Sequence, residues 1–291
     1  MKLIRADGPR DPRLADYQEV RDKDLRRSGV FLVEGEVTVV EFARRSSFRL
    51  RSVLLSDKRV DSLRAQLSEC SERLADTPLY VLPQGDLEAI VGFRIHRGVI
   101  AAGDRPVLRD LDEVLSGVRL VLALEGLTNH DNVGGCFRNA AAFGVDAVIL
   151  DSRCCDPLYR KAIRVSAGAA LTVPWAVGSD GPSLVAACRG AGLTTVALTP
   201  RGSAPPLAGV LGALGDRPLA IVVGTEGPGL TDGVLQAADF EARIPMAGEF
   251  DSINVAVAAA VALAFRTGAQ PGQAEPAPGS RFHGTSQTGS G

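Results

Sequence analysis

Short apolar segments typical of strands alternate with helical segments from Arg119 to about Thr267. The strand candidates are residues 120–124, 147–150, 171–176, 195–198, 219–223 and 240–244. The helix candidates are residues 133–143, 183–191, 231–237 and 253–265. This alternation favours a parallel sheet covered by helices, because a crossover between parallel strands usually contains a helix. We therefore predict an α/β domain over residues 119–267.

A second, smaller α/β unit precedes this domain. Its strand candidates are residues 31–33, 50–55, 79–82 and 98–102, and its helix candidates are residues 36–44 and 62–73. The spacing of Leu14, Tyr17, Val20 and Leu25 predicts a further short amphipathic helix. We assign residues 1–106 to an N-terminal domain and residues 107–118 to a linker with a short helix. Residues 268–291 lack an apolar pattern and are predicted to be a disordered tail.

The composition gives no sign of a membrane span, a metal site or a disulfide framework. The 291 residues carry a formal net charge of -2, so any binding to nucleic acid must depend on a local basic patch. No apolar segment approaches the roughly 20 residues of a membrane-spanning helix, and the polar N-terminus lacks the apolar core of a signal peptide. The five cysteines show no metal-ligand spacing. We predict a reduced, cytoplasmic protein that binds no metal.

Three sequence blocks carry candidate functional residues, and the first spans residues 129–144, N-H-D-N-V-G-G-C-F-R-N-A-A-A-F-G. Asn132 is interpreted as a helix N-cap or a site residue, because asparagine accepts hydrogen bonds from the free amides of a helix start. Arg138 lies further along the same predicted helix. It is interpreted either as a surface residue or as a functional residue. Gly134 and Gly135 are unfavourable in a first helical turn. Their small size predicts that another group approaches the helix closely.

The second block, residues 221–230, reads I-V-V-G-T-E-G-P-G-L and places a glycine-rich loop after an apolar strand. The glycines are spaced G-x-x-G-x-G, whereas a dinucleotide-binding loop needs G-x-G-x-x-G, so an oxidoreductase is disfavoured. Gly-Pro-Gly by itself is also an ordinary turn. Glycines nevertheless let a backbone approach a ligand, and Glu226 follows the strand at the sheet edge where ligands of α/β proteins bind.

The third block, residues 244–263, joins a strand to a long helix rich in alanine and valine. Ser252 and Asn254 flank Ile253 where this helix begins, and an N-cap role accounts for one of them but not for both. The helix start also offers free amides and a positive dipole end, which suit a carboxylate. The Ala/Val-rich segment is predicted to be buried on most sides, by close packing or at a subunit interface.

In this order and spacing, the three blocks closely resemble the signature motifs of the SpoU (TrmH-type) RNA 2'-O-methyltransferases of the SPOUT superfamily. The resemblance covers essentially the whole folded chain. It implies methyl transfer from S-adenosyl-L-methionine to a ribose 2'-hydroxyl, and a deep trefoil knot formed by the second and third blocks, a feature that periodicity cannot predict. By position, it implies cofactor contacts from Gly224, Ile244, Met246 and Ile253, the last in place of the family's usual leucine. It implies a polar catalytic set of Asn132, Arg138, Glu226, Ser252 and Asn254.

The resemblance also suggests how these residues divide the work. It makes Arg138 the candidate general base, although a guanidinium group hardly ever loses a proton. The alternative is that Arg138 clamps a phosphate and stabilises the developing alkoxide, and the two roles stay open. Asn132 and Glu226 are expected to orient Arg138 and the substrate, while Ser252 and Asn254 shape the pocket.

The N-terminal unit resembles the ribosomal-protein-like domain that binds the substrate in many rRNA-directed members. Residues 31–36, F-L-V-E-G-E, and 93–101, F-R-I-H-R-G-V-I-A, carry this resemblance. It implies an RNA partner, with 23S rRNA favoured over tRNA, and phosphate contacts from residues 21–27 and from Arg94, His96 and Arg97. We also predict a homodimer through the last helix and the first-block helix. The alternative functions are methylation of tRNA and a non-catalytic role in RNA binding or ribosome assembly.

Overall fold

The computed structural model of the chain describes residues 1–18, 22–70, 72–92, 98–247 and 252–268. Two predicted features fall outside these residues. One is the proposed phosphate-binding group Arg94, His96 and Arg97, and the other is nearly all of the predicted tail, from residue 269 onward. None of the described helices is long and apolar enough to cross a membrane.

The N-terminal part of the chain forms a mixed five-stranded sheet with the order β1-β4-β3-β5-β2. Its strands are β1 (Lys2–Arg5), β2 (Val30–Glu34), β3 (Leu50–Ser56), β4 (Pro78–Leu82) and β5 (Val99–Asp104). Its helices are α1 (Asp22–Arg27), α2 (Glu36–Arg45), α3 (Val60–Gln66) and α4 (Gln84–Val91), and α5 (Leu111–Leu115) follows the last strand. Strands β1, β4 and β3 run parallel, whereas β5 is antiparallel to both of its neighbours.

The C-terminal part forms a six-stranded sheet with the order β11-β9-β10-β6-β7-β8, in which all described pairs are parallel. Its strands are β6 (Leu120–Glu125), β7 (Ala147–Asp151), β8 (Trp175–Gly178), β9 (Thr194–Leu198), β10 (Leu219–Gly224) and β11 (Phe240–Ala242). Its helices are α6 (His130–Ala142), α7 (Arg160–Val165), α8 (Gly181–Gly190), α9 (Leu207–Leu214), α10 (Asp232–Ala237) and α11 (Val255–Thr267). The prediction of a parallel α/β sheet is confirmed.

The central strands of this sheet are buried on both faces, as expected where helices cover both sides of a parallel sheet. Every residue of β6, L-V-L-A-L-E, is buried. In the sheet, β7 and β8 follow β6 on one side, whereas β10 and β9 lie on its other side. The direction in which strands are added therefore changes between β6 and β10, and this position is the switch point of the sheet. Ligands of open α/β sheets bind outside the carboxyl ends of the strands at such a point. There, Gly224 lies in register with Glu125.

The two sheets are connected through α7 and the loop before it. Helix α7 packs against β2, and Arg164 of α7 lies 3.7 Å from the carboxylate of Glu34. Arg105, just after β5, forms an ion pair with Asp156 at 2.7 Å. One cluster of buried apolar side chains also includes residues of both sheets. The N-terminal and C-terminal parts therefore share packing as well as a linker.

Several predicted strand boundaries are wrong. Residues 171–176 were expected to form one strand, but Ala169–Leu171 is a short 3-10 helix and β8 begins only at Trp175. The 3-10 turn is stabilised by Ser166, whose hydroxyl accepts from the amide of Ala170. The edge strand predicted for residues 240–244 ends at Ala242, after which Arg243 makes only an isolated bridge to Pro206.

The helix predictions need corrections as well. Leu14 and Tyr17 belong to a 3-10 helix, Pro12–Tyr17, that ends at the extended residue Gln18, so they do not continue into α1. The helix predicted for residues 62–73 ends at Gln66 and is followed by a 3-10 turn. Strand β1 and helices α4, α7 and α9 were not predicted. Helix α9 follows Pro205 and Pro206 and contains two glycines, a composition that resembles a loop.

Candidate active site

The second and third blocks line one pocket at the carboxyl end of β10. Its volume is about 360 Å³, and most of its wall is apolar. Seven predicted site residues lie on its wall: Gly224, Glu226, Ile244, Met246, Ser252, Ile253 and Asn254. Leu198, Thr199 and Pro200, which follow or end β9, complete it together with Val223, Thr225, Gly227, Gly229, Val255 and Ala258. The chain thus brings together residues that are far apart in sequence, as the resemblance implied.

The glycines of the second block are needed by the loop itself. A Cβ on Gly224 would lie 2.5 Å from the backbone nitrogen of Leu230, where the loop folds back on its own start. Gly227 and Gly229 have φ angles of 85° and 72°, which side-chain-bearing residues rarely adopt. The amide of Gly229 donates to the carbonyl of Thr225 at 3.1 Å. This return leaves Glu226 exposed at the tip of the turn, beside the pocket.

Asn254 connects the three blocks through its side chain. Its amide nitrogen Nδ2 donates to Oδ1 of Asn132 and to Oε1 of Glu226, both at 2.8 Å. Its Oδ1 accepts from the backbone amides of Ala256 at 2.9 Å and Val257 at 3.3 Å, so Asn254 is the N-cap of α11. An asparagine has the donors and acceptor needed to do both at once. Asn132, Asn254 and Glu226 form a continuous hydrogen-bonded chain, which we call the Asn–Asn–Glu chain.

The interpretation of Asn132 as a helix cap is wrong. Helix α6 begins earlier, and Asn129 is its N-cap, accepting from the amide of Asp131 at 2.9 Å. Asn132 lies in the first turn and is only 5% exposed, so its side chain points into the protein and meets Asn254. Of the two candidates in the third block, Asn254 caps α11. Ser252 lines the pocket and makes no hydrogen bond with the described residues.

Arg138 lies apart from the other predicted catalytic residues. Its side chain is exposed on α6, and it makes no hydrogen bond or ion pair with any residue that the structure describes. Asn132 and Glu226 bind Asn254, and neither of them contacts Arg138. Their expected role in orienting Arg138 and the substrate stays a prediction. Successive helix residues are about 100° apart, so Arg138, six positions after Asn132, projects from a different side of α6.

The close approach predicted at Gly134 and Gly135 is made by two other helices. A Cβ on Gly134 would lie 2.8 Å from the carbonyl oxygen of Ala162 in α7. A Cβ on Gly135 would lie 2.7 Å from the Cβ of Ala256 in α11. The glycines let α6 pack closely between α7 and α11, which brings Asn132 within reach of Asn254.

Comparison with known proteins identifies the family. Residues 119–264 match the model of the SpoU rRNA Methylase family, a segment that contains all three blocks and both ends of the Asn–Asn–Glu chain. The chain belongs to the SpoU rRNA methylase family.

Relatives of this SpoU protein extend the match beyond the methylase segment. A Mycobacterium tuberculosis protein named as an uncharacterized tRNA/rRNA methyltransferase is 39% identical over 263 residues, covering 89% of this chain and 90% of that protein. A Burkholderia 23S rRNA (guanosine-2'-O-)-methyltransferase is 33% identical, covering 65% of this chain and 76% of that protein. The SpoU methyltransferase AviRb from Streptomyces viridochromogenes, in complex with AdoMet, has a TM-score of 0.72 at 25% identity, covering 88% and 98% of the two chains. The predicted family and the predicted enzyme class, an RNA methyltransferase, are confirmed.

A group of polar residues that was not predicted lies beside the glycine loop of this SpoU protein. Glu125 ends β6 and is buried, and it accepts from the amide of Thr231 at 2.9 Å and from its hydroxyl at 2.8 Å. Arg153 donates to Glu125 and to Asp151, each at 2.9 Å. The hydrogen bond and charge of Asp151 raise the pKa of the Arg153 guanidinium. Thr231 directly follows the glycine loop and caps α10, so Glu125 fixes the far end of that loop.

A signal for this group was present in the sequence. Both β6 and β7 are apolar segments that end in a carboxylate, Glu125 and Asp151, at the edge where the site was expected. The same reasoning that selected Glu226 applies to them. Among the described residues, no group of three or more His, Cys, Asp or Glu side chains is placed to hold a metal ion.

Proposed function

We propose that this chain transfers a methyl group from S-adenosyl-L-methionine to the 2'-hydroxyl of a ribose in RNA, with 23S rRNA as the favoured substrate. The Asn–Asn–Glu chain at the mouth of the pocket is the observation that carries this proposal. It places polar groups from all three blocks beside an apolar cavity at the carboxyl ends of β9 and β10. The 23S rRNA target is supported by the Burkholderia relative, whose name specifies 2'-O-methylation of that RNA.

The pocket suits S-adenosyl-L-methionine in size and in chemistry. Leu198, Val223, Ile244, Met246 and Ile253 offer apolar walls for a flat aromatic base, and the backbone of the glycine loop offers polar groups at the rim. About 360 Å³ lies within the usual range of small-molecule sites. When bound, the cofactor supplies an electrophilic methyl group on a positively charged sulfonium. The AdoMet complex of AviRb supports this choice of cofactor.

The Asn–Asn–Glu chain would orient the ribose. Asn254 binds only Oε1 of Glu226, which leaves Oε2 of this exposed carboxylate able to accept a hydrogen bond from a ribose hydroxyl. Asn132 holds Asn254 from the other side, so the amide cannot rotate without losing both bonds. A fixed acceptor next to the reacting hydroxyl lowers the barrier by holding the reactants in position.

Arg138 would act as an electrostatic clamp. A guanidinium group stays protonated at any ordinary pH, so it stabilises a phosphate or a developing alkoxide better than it removes a proton. Because Arg138 has no partner among the described residues of its own chain, its charge is available to the RNA.

The chain would work as a homodimer in which Arg138 faces the pocket of the second copy. Helix α11 was expected to be buried on most sides, but Val257 and Phe265 are 50% and 54% exposed, and Val261 lies between them on the same side. Exposed apolar side chains at helical spacing fit a second copy of the same surface. Helix α6, which carries Arg138, packs directly beside α11.

Subunit mixing tests the dimer. Arg138→Ala and Asn254→Asp subunits, each inactive alone, are unfolded, mixed and refolded together. If Arg138 acts on the partner's pocket, each mixed dimer holds one intact site, and activity returns to about a quarter of the wild-type level. No recovery, or a monomer in light scattering at micromolar concentration, would contradict this arrangement.

We further propose that the segment from β10 to α11 is threaded as the trefoil knot that the family resemblance implies. Two features support it. The chain passes from the edge strand β11 back to α11, which packs on α6 and β10 near the middle of the sheet. Residues of the glycine loop and of the start of α11, among them Gly224, Glu226 and Asn254, also line the same pocket.

Methyl transfer to defined RNAs tests the function. Full-length protein is incubated with S-adenosylmethionine labelled in the methyl group and with unmodified transcripts of 23S rRNA, 16S rRNA and tRNA. Modified riboses are located by their resistance to alkaline hydrolysis. We expect incorporation into 23S rRNA at a 2'-oxygen. Incorporation into tRNA alone would replace the substrate, modification of a base would overturn the 2'-O assignment, and no incorporation would favour the non-catalytic alternative.

A further inference from the structure

A groove outside the pocket lies between the N-terminal part of the chain and the starts of α6 and α7. Its volume is about 570 Å³, and it is lined by Arg26, Arg27, His130, Cys154, Cys155, Asp156 and Tyr159. A second cavity of about 410 Å³ adjoins it and shares Arg26, Cys154, Cys155 and Asp156. Arginines from α1 therefore face aromatic rings from the methylase segment across one concave surface.

Two rings stack in this groove. The centroids of His130 and Tyr159 are 4.0 Å apart, with 34° between their planes. Both side chains are partly exposed, so the pair is a surface feature and not part of the core. Unpaired bases of RNA are commonly bound by stacking on aromatic side chains, because every base has a π-face.

The charges around the rings favour a phosphate. The side chain of Arg26 is 69% exposed, and Arg27 is exposed without an ion pair to any described residue. The acidic group in the groove is Asp156, which Arg105 already binds at 2.7 Å. Arg26 reaches the same carboxylate only at 4.0 Å, so its charge is largely uncompensated.

The nearby acidic groups are also paired. Asp131, next to His130, binds Lys161 at 2.6 Å, and Glu34 lies 3.7 Å from Arg164. Because Asp156, Asp131 and Glu34 each have a basic partner, these carboxylates leave the charges of Arg26 and Arg27 available to a ligand. A groove with aromatic rings and uncompensated arginines is typical of sites for single-stranded nucleic acid.

We propose that this groove binds an unpaired nucleotide of the RNA substrate, with its base on the His130–Tyr159 pair and its phosphate at Arg26 and Arg27. The inference rests on the proposed function, because it makes this nucleotide a neighbour of the methylated one. His130 and Asn132 belong to the same first turn of α6, so the two positions are only a few nucleotides apart. Both parts of the chain then contact the RNA, whereas the family resemblance implied such contacts from the N-terminal unit.

Binding of a labelled single-stranded RNA tests the groove. The probe is an unstructured 12-nucleotide RNA of alternating cytidine and adenosine, compared with the same sequence as a duplex. Tyr159→Ala should weaken binding of the single strand roughly 5- to 100-fold, because it removes one stacking surface. Tyr159→Trp should stay close to wild type, since it keeps an aromatic face. The affinity for the duplex should be the same in the wild-type protein and in Tyr159→Ala.

The arginines are tested through salt dependence. The double variant Arg26→Ala/Arg27→Ala should weaken binding and flatten the slope of log affinity against log salt by roughly 0.7 for each lost phosphate contact. Arg189→Ala is the matched control, because Arg189 is an exposed arginine on α8, which packs on the opposite face of the sheet from α6. Unchanged urea midpoints establish that each variant is folded.

Two results would overturn the proposal. One is that the Tyr159→Ala and Arg26→Ala/Arg27→Ala variants bind the single strand as tightly as the Arg189→Ala control. The other is that Tyr159→Trp loses as much affinity as Tyr159→Ala, which would mean that the ring is not a stacking surface. Failure of the proposed function can be distinguished from failure of this proposal. In that case RNA binding would still depend on Tyr159, but the wild-type protein would transfer no methyl group.

Discussion

Asn254 donates a hydrogen bond to Asn132 at 2.8 Å, across 122 positions of the sequence. The same nitrogen binds Glu226, and the oxygen of the same amide caps α11. One side chain therefore sets the start of the last helix and also the geometry of the proposed catalytic groups. Substitutions at this position can separate the two roles.

Asn254→Ala should lose the helix cap as well as activity, whereas Asn254→Asp should keep the cap and lose activity. Alanine removes the cap and should lower the free energy of unfolding by about 1 kcal/mol. Aspartate keeps a cap oxygen at the positive end of the helix dipole, but it cannot donate to Asn132 and it repels Glu226. Urea denaturation measures the first effect and methyl incorporation the second. An Asn254→Asp enzyme with wild-type turnover would show that the donor is not needed.

The sequence predicted the pocket better than the polar contacts within it. The pocket walls follow from strand ends and from a glycine-rich loop, which are local signals, and Gly224, Ile244 and Ile253 lie where expected. Asn129 and Asn132 are both residues that cap helices, and propensity alone could not choose between them. The choice is made by packing, because α6 buries Asn132 against α11.

Long-range contacts account for most of what the sequence analysis missed. Glu125 accepts a hydrogen bond from Thr231, which is 106 residues away. The sequence around either residue does not indicate that the two meet. Arg138 was expected to join Asn132 and Glu226 because all three belong to the family motifs, but a motif does not specify which side of a helix a residue faces.

Arg138→Ala should abolish methyl transfer while cofactor affinity and stability stay nearly unchanged. Loss of a transition-state clamp costs about 10²–10⁴ in rate. An exposed side chain without a partner contributes little to folding, so the free energy of unfolding should change by less than about 0.5 kcal/mol. Single-turnover methylation, calorimetry with S-adenosylmethionine and urea denaturation measure the three quantities. Turnover close to wild type would remove Arg138 from the site.

Glu125→Gln should weaken cofactor binding from outside the pocket. The carboxylate is buried and accepts hydrogen bonds from Thr231 and Arg153, and charge-assisted bonds of this kind contribute about 2 kcal/mol. Arg153 is half exposed, so solvent screens part of its interaction with Glu125. We expect lower stability and a higher Kd for S-adenosylmethionine. Arg153→Ala is the matched control, and it should have the smaller effect because it leaves the bonds to Thr231 intact.

Cys136 and Cys188 should resist alkylation in the folded protein. Burial raises the pKa of each thiol to about 12, and the thiolate is the reactive form. Since their folded pKa values exceed the unfolded value of about 8.5, their contribution to stability is present below that pH and is lost as the pH rises toward 12. Mass spectrometry after treatment with iodoacetamide at pH 8 should find both unmodified without urea and modified in urea. Rapid labelling of either thiol in the native protein would contradict their burial.

Gly135→Ala should separate α6 from α11 and so disturb the contact between Asn132 and Asn254. The added methyl group would meet the Cβ of Ala256 at 2.7 Å, and α11 cannot easily retreat because Asn139 binds the carbonyl of Ala256 at 2.6 Å. Alanine gains about 1 kcal/mol of helix propensity over glycine, whereas overpacking costs about 1–3 kcal/mol, so a net loss of stability is expected.

The double variant Gly135→Ala/Ala256→Gly should restore the packing by exchanging the two residues across the interface. Ala256→Gly alone should also be destabilised, by about 1 kcal/mol. The losses of the two single variants should not add, because the double variant restores the contact between the helices. We expect a favourable coupling of about 0.5–3 kcal/mol in urea denaturation, together with partial recovery of methyl transfer. Additive losses would mean that the two helices do not meet at these residues. Recovered stability without recovered activity would mean that the Asn132–Asn254 contact does not depend on this spacing.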